Sequence, residues 1–453
     1  MKIQLSEHFT LKKLLKFVFP SIVMMIFTSV YGVVDGIFVS NFVGKIPFAA
    51  VNLIMPFLMI LGALGFMIGT GGSAIISKTL GEGDKEKANQ YFSMLIYVII
   101  VLGAVLTALG LIFMRPISIL LGANGEMLEN CVLYGNLIIT ALIPYMLLNS
   151  FQSFFVAAGK PQLGLGATVA AGVTNMVLDF VFIVLFQWGI AGAAIATAIS
   201  QIVGGVIPLF YFSSKNSSSL HLGNTKMYWK ILLKTCANGS SELMTNLSMS
   251  IVNMLYNYKL MEYIGEDGVA AYGVIMYVNF IFVSIFLGYS IGSAPIVSYH
   301  YGAKNNSELK NLFHKSLGFV SVVGVVLTVL SISLSGVLSS IFVGYDAKLF
   351  EITQHGLIIF SISYLICGFN IYGSAFFTAL NNGAISAAIS FLRTLLFQIV
   401  SVMLLPLILG LDGIWLSITC AELCALVVTV IFLITNRKKY NCLLYTSDAA
   451  DDL

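Results

Sequence analysis

With 453 residues, 58% of them hydrophobic and only 9% charged, the chain departs far from soluble domains, in which about a quarter of residues carry charge. Its net charge of +3 gives no sign of a nucleic-acid surface. The six cysteines suggest no disulfide framework, and Cys420 and Cys424, which share a helical face, have no His or acidic residue grouped beside them to make a metal site. Composition leaves an integral membrane protein.

Runs of at least about 18 apolar residues, each long enough to cross a bilayer, follow one another along the whole length. They cover residues 14–42, 48–77, 91–114, 130–158, 163–186 and 190–212, then 230–260, 268–299, 312–338, 352–380, 384–409 and 413–436. Twelve spans predict an all-α integral membrane protein with little left over for a soluble domain. The opening segment is polar and no small-residue cleavage site follows a short apolar region, so no cleaved leader is expected. A Ser- and Asn-rich stretch near residues 213–224 reads as a linker. It divides the chain into an N-terminal lobe (1–213), a cytoplasmic linker (214–229) and a C-terminal lobe (230–440). The acidic, small-residue run at 441–453 fits nothing before it and is expected to be disordered or foreign to the protein.

Lysine and arginine set the orientation. With the N-terminus cytoplasmic, eighteen of them fall in inside segments and only Lys45, Arg115, Lys259 and Lys348 outside, with Arg393 left within a span. An even number of spans requires both termini on the same side, so both are expected to face the cytoplasm.

The two halves repeat at a spacing of about 221 residues. Gly44–Ala50 answers Gly265–Ala271, and the Gly-rich stretch Gly69–Asp84 answers Gly292–Asn305. Phe154-Phe155 answers Phe376-Phe377, and Gly189 and Gly192 answer Gly410 and Gly413. Six spans per half put both halves into the membrane in the same sense. They are then parallel repeats with a cavity expected between them, a plan suited to alternating access by rocking.

Two carboxylates interrupt the apolar runs. Asp35 lies about seven residues from the outer end of the first span, Asp179 about seven from the outer end of the fifth, and Thr197 about seven past the outer start of the sixth. At about 1.5 Å per residue, all three come to rest roughly 10 Å below the outer surface. Asn175, four residues before Asp179, shares its helical face. Two neighbouring carboxylates in a dry site cannot both stay charged cheaply, so one takes a proton or a cation binds between them. Asn175 and Thr197 would then complete an oxygen-rich Na⁺ site or hydrogen-bond a protonated acid. In the second half, Tyr256 answers Asp35, and Val400 or Ser401 answers Asp179. The acid pair therefore belongs to one lobe.

These motifs, with Val34-Asp35-Gly36-Ile37-Phe38-Val39, the Gly81-Glu82-Gly83-Asp84 loop and the Asn175/Asp179 pair, resemble the multidrug and toxin extrusion (MATE) family in its bacterial form. The likeness runs from about Leu14 to Asn436. It implies a twelve-helix antiporter of the bacterial inner membrane that exports amphipathic, often cationic compounds against inward H⁺ or Na⁺. It points to Asp35, Asn175, Asp179 and Thr197 as the coupling site, which would hold metal only if the ion is Na⁺. A related branch flips lipid-linked precursors, and that is the alternative. Flipping a pyrophosphate headgroup would want a cationic cavity, for which Arg393 is the only deep candidate.

Weaker candidates accompany this core. Glu242 is a possible second acid in the C-terminal lobe, or a hydrated residue near a helix start. Arg393 either pairs with Glu242 or Glu422, or faces the cavity. Tyr134 either assists the acid cluster or is an interfacial aromatic. Methionines such as Met24, Met25, Met55, Met59 and Met276 suit adaptable cavity walls, and prolines near residues 20, 56, 144, 208, 295 and 406 suit bends. Gly69-Thr70-Gly71-Gly72 suits close helix contact and not a phosphate loop. No HExxH, GxSxG or intramembrane His cluster occurs, so neither enzyme nor channel is favoured. No cofactor is expected beyond the coupling ion. The expected partners are the bilayer and small amphipathic substrates, with no nucleic acid and the chain as a monomer.

Overall fold

Short polar turns separate the helices, and the residues in them explain where each helix starts. Thr10, Asp84, Asn305 and Asp346 each accept a backbone N–H from the first turn of the helix that follows, satisfying donors that a helix start leaves open. Asp84 and Asn305 are the same position of the repeat. A hydrogen bond from Lys87 holds the Asp84 carboxyl below the usual carboxylate range.

The computed structural model describes residues 3–440, in which no strand occurs. The tail at 441–453, Cys442 included, lies outside the described residues, as does Lys2. The first six spans are α1 (Leu11–Phe42), α2 (Lys45–Gly81), α3 (Lys85–Leu120), α4 (Gly125–Ile139 bent into Leu142–Ala157), α5 (Pro161–Asp179 running into a π segment, Phe180–Leu185) and α6 (Gly189–Ser213). The next six are α7 (Trp229–Ile264), α8 (Glu266–Gly302), α9 (Asn306–Ser333 and Ser335–Val343), α10 (Ala347–Ser361 and Tyr364–Ala379), α11 (Gly383–Phe391, a π segment Leu392–Leu396, then Phe397–Leu404 and Pro406–Leu409) and α12 (Leu411–Thr435).

Among the described residues, nine helices are long and apolar enough to cross a membrane singly, and α4 and α10 do so as pairs bent by 58° and 50°. The twelfth span, α7, is 36 residues long but carries many Asn, Ser and charged residues, because it faces the polar cavity described below. The sharp bends differ from the proline-based expectation. Pro20, Pro56, Pro208 and Pro295 lie inside unbroken helices. The breaks fall at Thr140–Ala141 and Ile362–Ser363, equivalent places in the two repeats. Sharp bending is thus a property of the repeat, and of the two sharply bent spans only α4 has a proline, Pro144, close to its break, while Pro406 opens the short last piece of α11.

Each half builds its own core, and each lends a helix end to the other. Leu14, Phe17 and Val18 of α1 belong to the C-terminal core, while Ile231, Leu232 and Cys236 of α7 pack against the N-terminal one. The lobes meet closely on the side of the chain termini. A Cβ on Gly81 would lie 2.0 Å from the Tyr299 carbonyl oxygen, and one on Gly302 would lie 2.0 Å from that of Lys78. Both pairs are related by the repeat, so α2 and α8 cross as near mirror roles in one seam. Gly71 and Gly239 add a second backbone-to-backbone approach between α2 and α7.

Beneath this seam lies the segment before α1. Phe9 is fully buried in the C-terminal core. Its N–H donates to Glu308 at 2.8 Å, while Asn311 and Lys315 donate to its carbonyl at 3.0 and 2.6 Å. The linker is equally tied down, on α3: His221 N–H donates to Asn89, Gly223 N–H to Ser93 and the Tyr97 hydroxyl to the Gly223 carbonyl. The Tyr228 hydroxyl also donates to Gln90.

Candidate functional site

The two intramembrane acids meet. Asp35 lies beside the side chains of Asp179, Asn175 and Thr197. Asn175 and Asp179 are almost wholly buried, and Asn175 donates its amide to the Thr197 hydroxyl at 3.4 Å. Asp35 Oδ1 and both Asp179 oxygens are enclosed without a hydrogen-bond partner in the protein. Buried polar atoms ordinarily find a partner, and here three carboxylate oxygens at one point have none. Asp179 closes the α-helical part of α5, and the π segment begins at the next residue. π segments recur at functional sites because they re-aim side chains and loosen the backbone ladder; nothing in the sequence announces this one.

Tyr134 is buried beside the acids and is not an interfacial aromatic. It is 1% exposed, close enough to Asp35 and Asp179 to sense their charge, and its hydroxyl points at Met55 Sδ, 3.9 Å away. Tyr31, which sequence reasoning passed over, lies beside Asp35 on α1. It sits one turn before the acid, and that spacing is the only signal that could have found it.

The equivalent position of the other lobe is partnered. Tyr256, in the place of Asp35, donates to Gln398 at 3.0 Å and stacks on Tyr272 with ring centres 5.0 Å apart. Tyr272 donates in turn to Asn253 at 2.9 Å. Two partnered tyrosine hydroxyls stand where the first lobe has orphaned carboxylates.

A second polar cluster lies in the C-terminal lobe. Arg393, within the π segment of α11, donates through Nε to both oxygens of Glu422 at 2.8 and 3.0 Å. Asn370 donates to the same carboxylate at 2.7 Å and receives a bond from Thr429 at 3.0 Å. Of the two partners considered for Arg393, Glu422 is therefore the one in contact. Asn370 and Thr429 escaped notice because their positions on α10 and α12 carry no sequence signal of proximity. Counting back one repeat in the register of the neighbouring pairs, Arg393 answers Ala171 or Gly172, Glu422 answers Gln201 and Asn370 answers Leu148. Neither cluster has a copy in the opposite lobe.

Between the lobes is a cavity of about 210 Å³ whose wall includes Met25, Thr70, Glu242, Asn246, Ser290 and Arg393. Glu242 is thus a cavity-wall acid. Asp35, Asn175, Asp179 and Thr197 do not line this cavity, but α1 reaches both places: Met25 touches the cavity, and Asp35 lies about 15 Å further along the same helix. Gly172 lets α1 press against α5, because a Cβ there would lie 2.5 Å from the Phe27 ring. Among the described residues, no group of three or more His, Cys, Asp or Glu is placed to hold a metal ion.

Two parallel six-helix repeats, a cavity at their junction and a lone carboxylate pair in one lobe define a multi-pass membrane transporter. The sequence profile of the MatE family matches residues 20–181 and 243–404, one copy in each half. The chain belongs to that family. It is 25% identical over 440 residues to the multidrug export protein MepA of Staphylococcus aureus, covering 94% of each chain. It is 24% identical over 364 residues to MepA of Staphylococcus saprophyticus, covering 79% of this chain and 80% of that one. In architecture it is similar to an outward-facing multidrug resistance MATE family transporter of the MOP superfamily, with TM-score 0.90, 23% identity and 97% of each chain covered.

Proposed function

We propose that this membrane transporter is a secondary active exporter of amphipathic small molecules, often cationic, driven by inward movement of H⁺ or Na⁺ through the Asp35–Asp179 pair. The observation that carries the reading is the convergence of three partnerless carboxylate oxygens in one lobe, against partnered tyrosine hydroxyls at the matching place in the other. A cation or proton at the pair removes the repulsion between the acids and draws α1 and α5 together. Because α1 also walls the central cavity, ion occupancy changes the cavity that substrate occupies. Coupling is then indirect, through one helix. Asn175 and Thr197 are the neutral oxygens that complete a Na⁺ shell or hold a protonated acid. The chain operates in this reading as a monomer in the bacterial inner membrane, with both termini cytoplasmic, as the lysine and arginine bias requires.

The flippase alternative needs free positive charge in the cavity for a pyrophosphate headgroup. Arg393 is already matched by Glu422, and Glu242 adds negative charge to the same wall, which weighs against it.

Ethidium efflux from cells lacking other pumps tests the proposal. Asp35→Asn and Asp179→Asn should each reduce efflux at least tenfold at unchanged surface expression. Proteoliposomes given a Na⁺ jump or a pH jump identify the ion, since only one should drive uptake. Wild-type efflux in Asp35→Asn would refute the coupling role of the pair.

A further inference from the structure

Away from both polar clusters, the outer surface of α3 carries a groove of about 550 Å³. Its floor is a stripe at helical spacing, Met94, Tyr97, Val98, Val101, Leu102 and Val105. Its wall is the last part of the linker and the start of α7, including Lys226, Met227 and Trp229. From Met94 to Val105 the helix rises about 16 Å, close to half of a hydrocarbon core roughly 30 Å thick. The groove is therefore one leaflet deep, the reach of a single acyl chain. Met94 is buried, but Tyr97, Val101 and Val105 are 44%, 64% and 51% exposed, so the floor lies open from Tyr97 onward.

Any membrane face meets lipid; the mouth of this groove is what selects one. Among the described residues, Lys226 is the only charged one that lines it, with Nζ 5.4 Å from the centre of the Tyr228 ring, and no acidic one does. Trp229, 67% exposed, stands beside the lysine, an aromatic of the kind that marks headgroup level. The wall is also fixed in place by the bonds from His221, Gly223, Tyr97 and Tyr228 to or from α3, so the groove is a preformed feature.

We propose that this groove binds one acyl chain of an anionic glycerophospholipid, from the leaflet on the side of the chain termini, with the lipid phosphate on Lys226. The chain fills the apolar floor, and the lysine distinguishes a net-negative headgroup from a zwitterionic one. A lipid seated there fastens the linker to α3. The linker leads directly into the part of α7 that forms the Gly71–Gly239 approach, so the lipid braces the seam on which rocking depends.

The tryptophans provide the test. Of the three, Trp188, Trp229 and Trp415, Trp415 is buried, and Trp188→Phe leaves Trp229 as the membrane-facing reporter. Purified full-length Trp188→Phe protein in detergent is titrated with phosphatidylglycerol or phosphatidylcholine carrying brominated acyl chains. Phosphatidylglycerol should quench Trp229 at roughly fivefold lower concentration, the preference expected of one lysine near the membrane surface. Lys226→Gln, a change at an exposed linker position, should abolish that preference while leaving quenching by both lipids. Val101→Phe, which fills the floor, should weaken quenching by both. Equal quenching by the two lipids in the parent, or a preference that survives Lys226→Gln, would overturn the proposal and leave only unselective lipid contact.

Discussion

Arg393 and Glu422 show how the same pair of residues can be costly or benign depending on what surrounds it. Glu422 is buried and Arg393 is largely covered at the cavity wall, yet Glu422 accepts from Arg393 and Asn370, and Asn370 is itself held by Thr429. Removing one partner strands a buried charge, which costs about 3–5 kcal/mol, whereas replacing both by apolar residues is often neutral. Glu422→Gln should therefore lower the thermal unfolding midpoint of the purified protein sharply, and the double replacement Arg393→Met with Glu422→Met should recover most of the loss. Equal midpoints for the single and double variants would show that the pair contributes no such imbalance. Asp35 and Asp179 predict the opposite sign. Their oxygens lack partners, so Asp179→Asn should hold or raise the unfolding midpoint while efflux falls. A group that costs stability and is kept nonetheless is what a working site looks like.

At the scale of single elements, the segment before α1 and the glycine crossing deserve separate experiments. Phe9 fills the C-terminal core without exposure, so Phe9→Ala should cost about 3–5 kcal/mol if the site cannot collapse, read as an earlier unfolding transition. The same segment carries Glu7, whose carboxyl is held below its ordinary range first by a hydrogen bond from Lys13 and then by one from the Gln4 N–H. A carboxyl lowered in the folded state stabilises it above the ordinary carboxylate pKa. That contribution fades as pH falls through the lowered value. Limited proteolysis near residues 4–13 should accordingly quicken only in acid, and Glu7→Gln should remove the acid-dependent part. Acceleration on the alkaline side would contradict the sign.

Across the whole molecule, the two lobes touch through backbone at Gly81 and Gly302. A single methyl at either position would have to lie 2.0 Å from a carbonyl oxygen of the facing helix, and backbone cannot yield by that much without moving a whole helix. Gly81→Ala with Gly302→Ala should therefore disfavour closure on the side of the chain termini. The expected result is greater labelling of cysteines introduced on the cavity wall, such as Asn246→Cys, from that side, together with slowed efflux. Unchanged labelling would show that the seam tolerates separation without opening the cavity. The repeat explains why one pair of positions matters from both directions: Lys78 and Gly81 stand to α8 as Tyr299 and Gly302 stand to α2.

Much of this was readable from residues alone. Apolar run length determines eleven of the twelve spans, because a bilayer imposes a fixed thickness, and the repeat of Gly81 at Gly302 determines that both halves share a topology. The level of Asp35, Asp179 and Thr197 along their helices was readable too, since helical rise converts residue count into depth. Depth is only one coordinate, however. Which way a helix is rotated, and which helix stands next to it, depends on packing between residues far apart in the chain. So only the tertiary structure decided that Tyr134 is buried beside the acids, that Glu422 and not Glu242 meets Arg393, and that α4 and α10 bend away from most of the prolines. The π segments after Asp179 and around Arg393 belong to the same class. They arise where the packing of neighbouring helices outweighs the local preference for an α-helical ladder, and no short stretch of sequence records that balance.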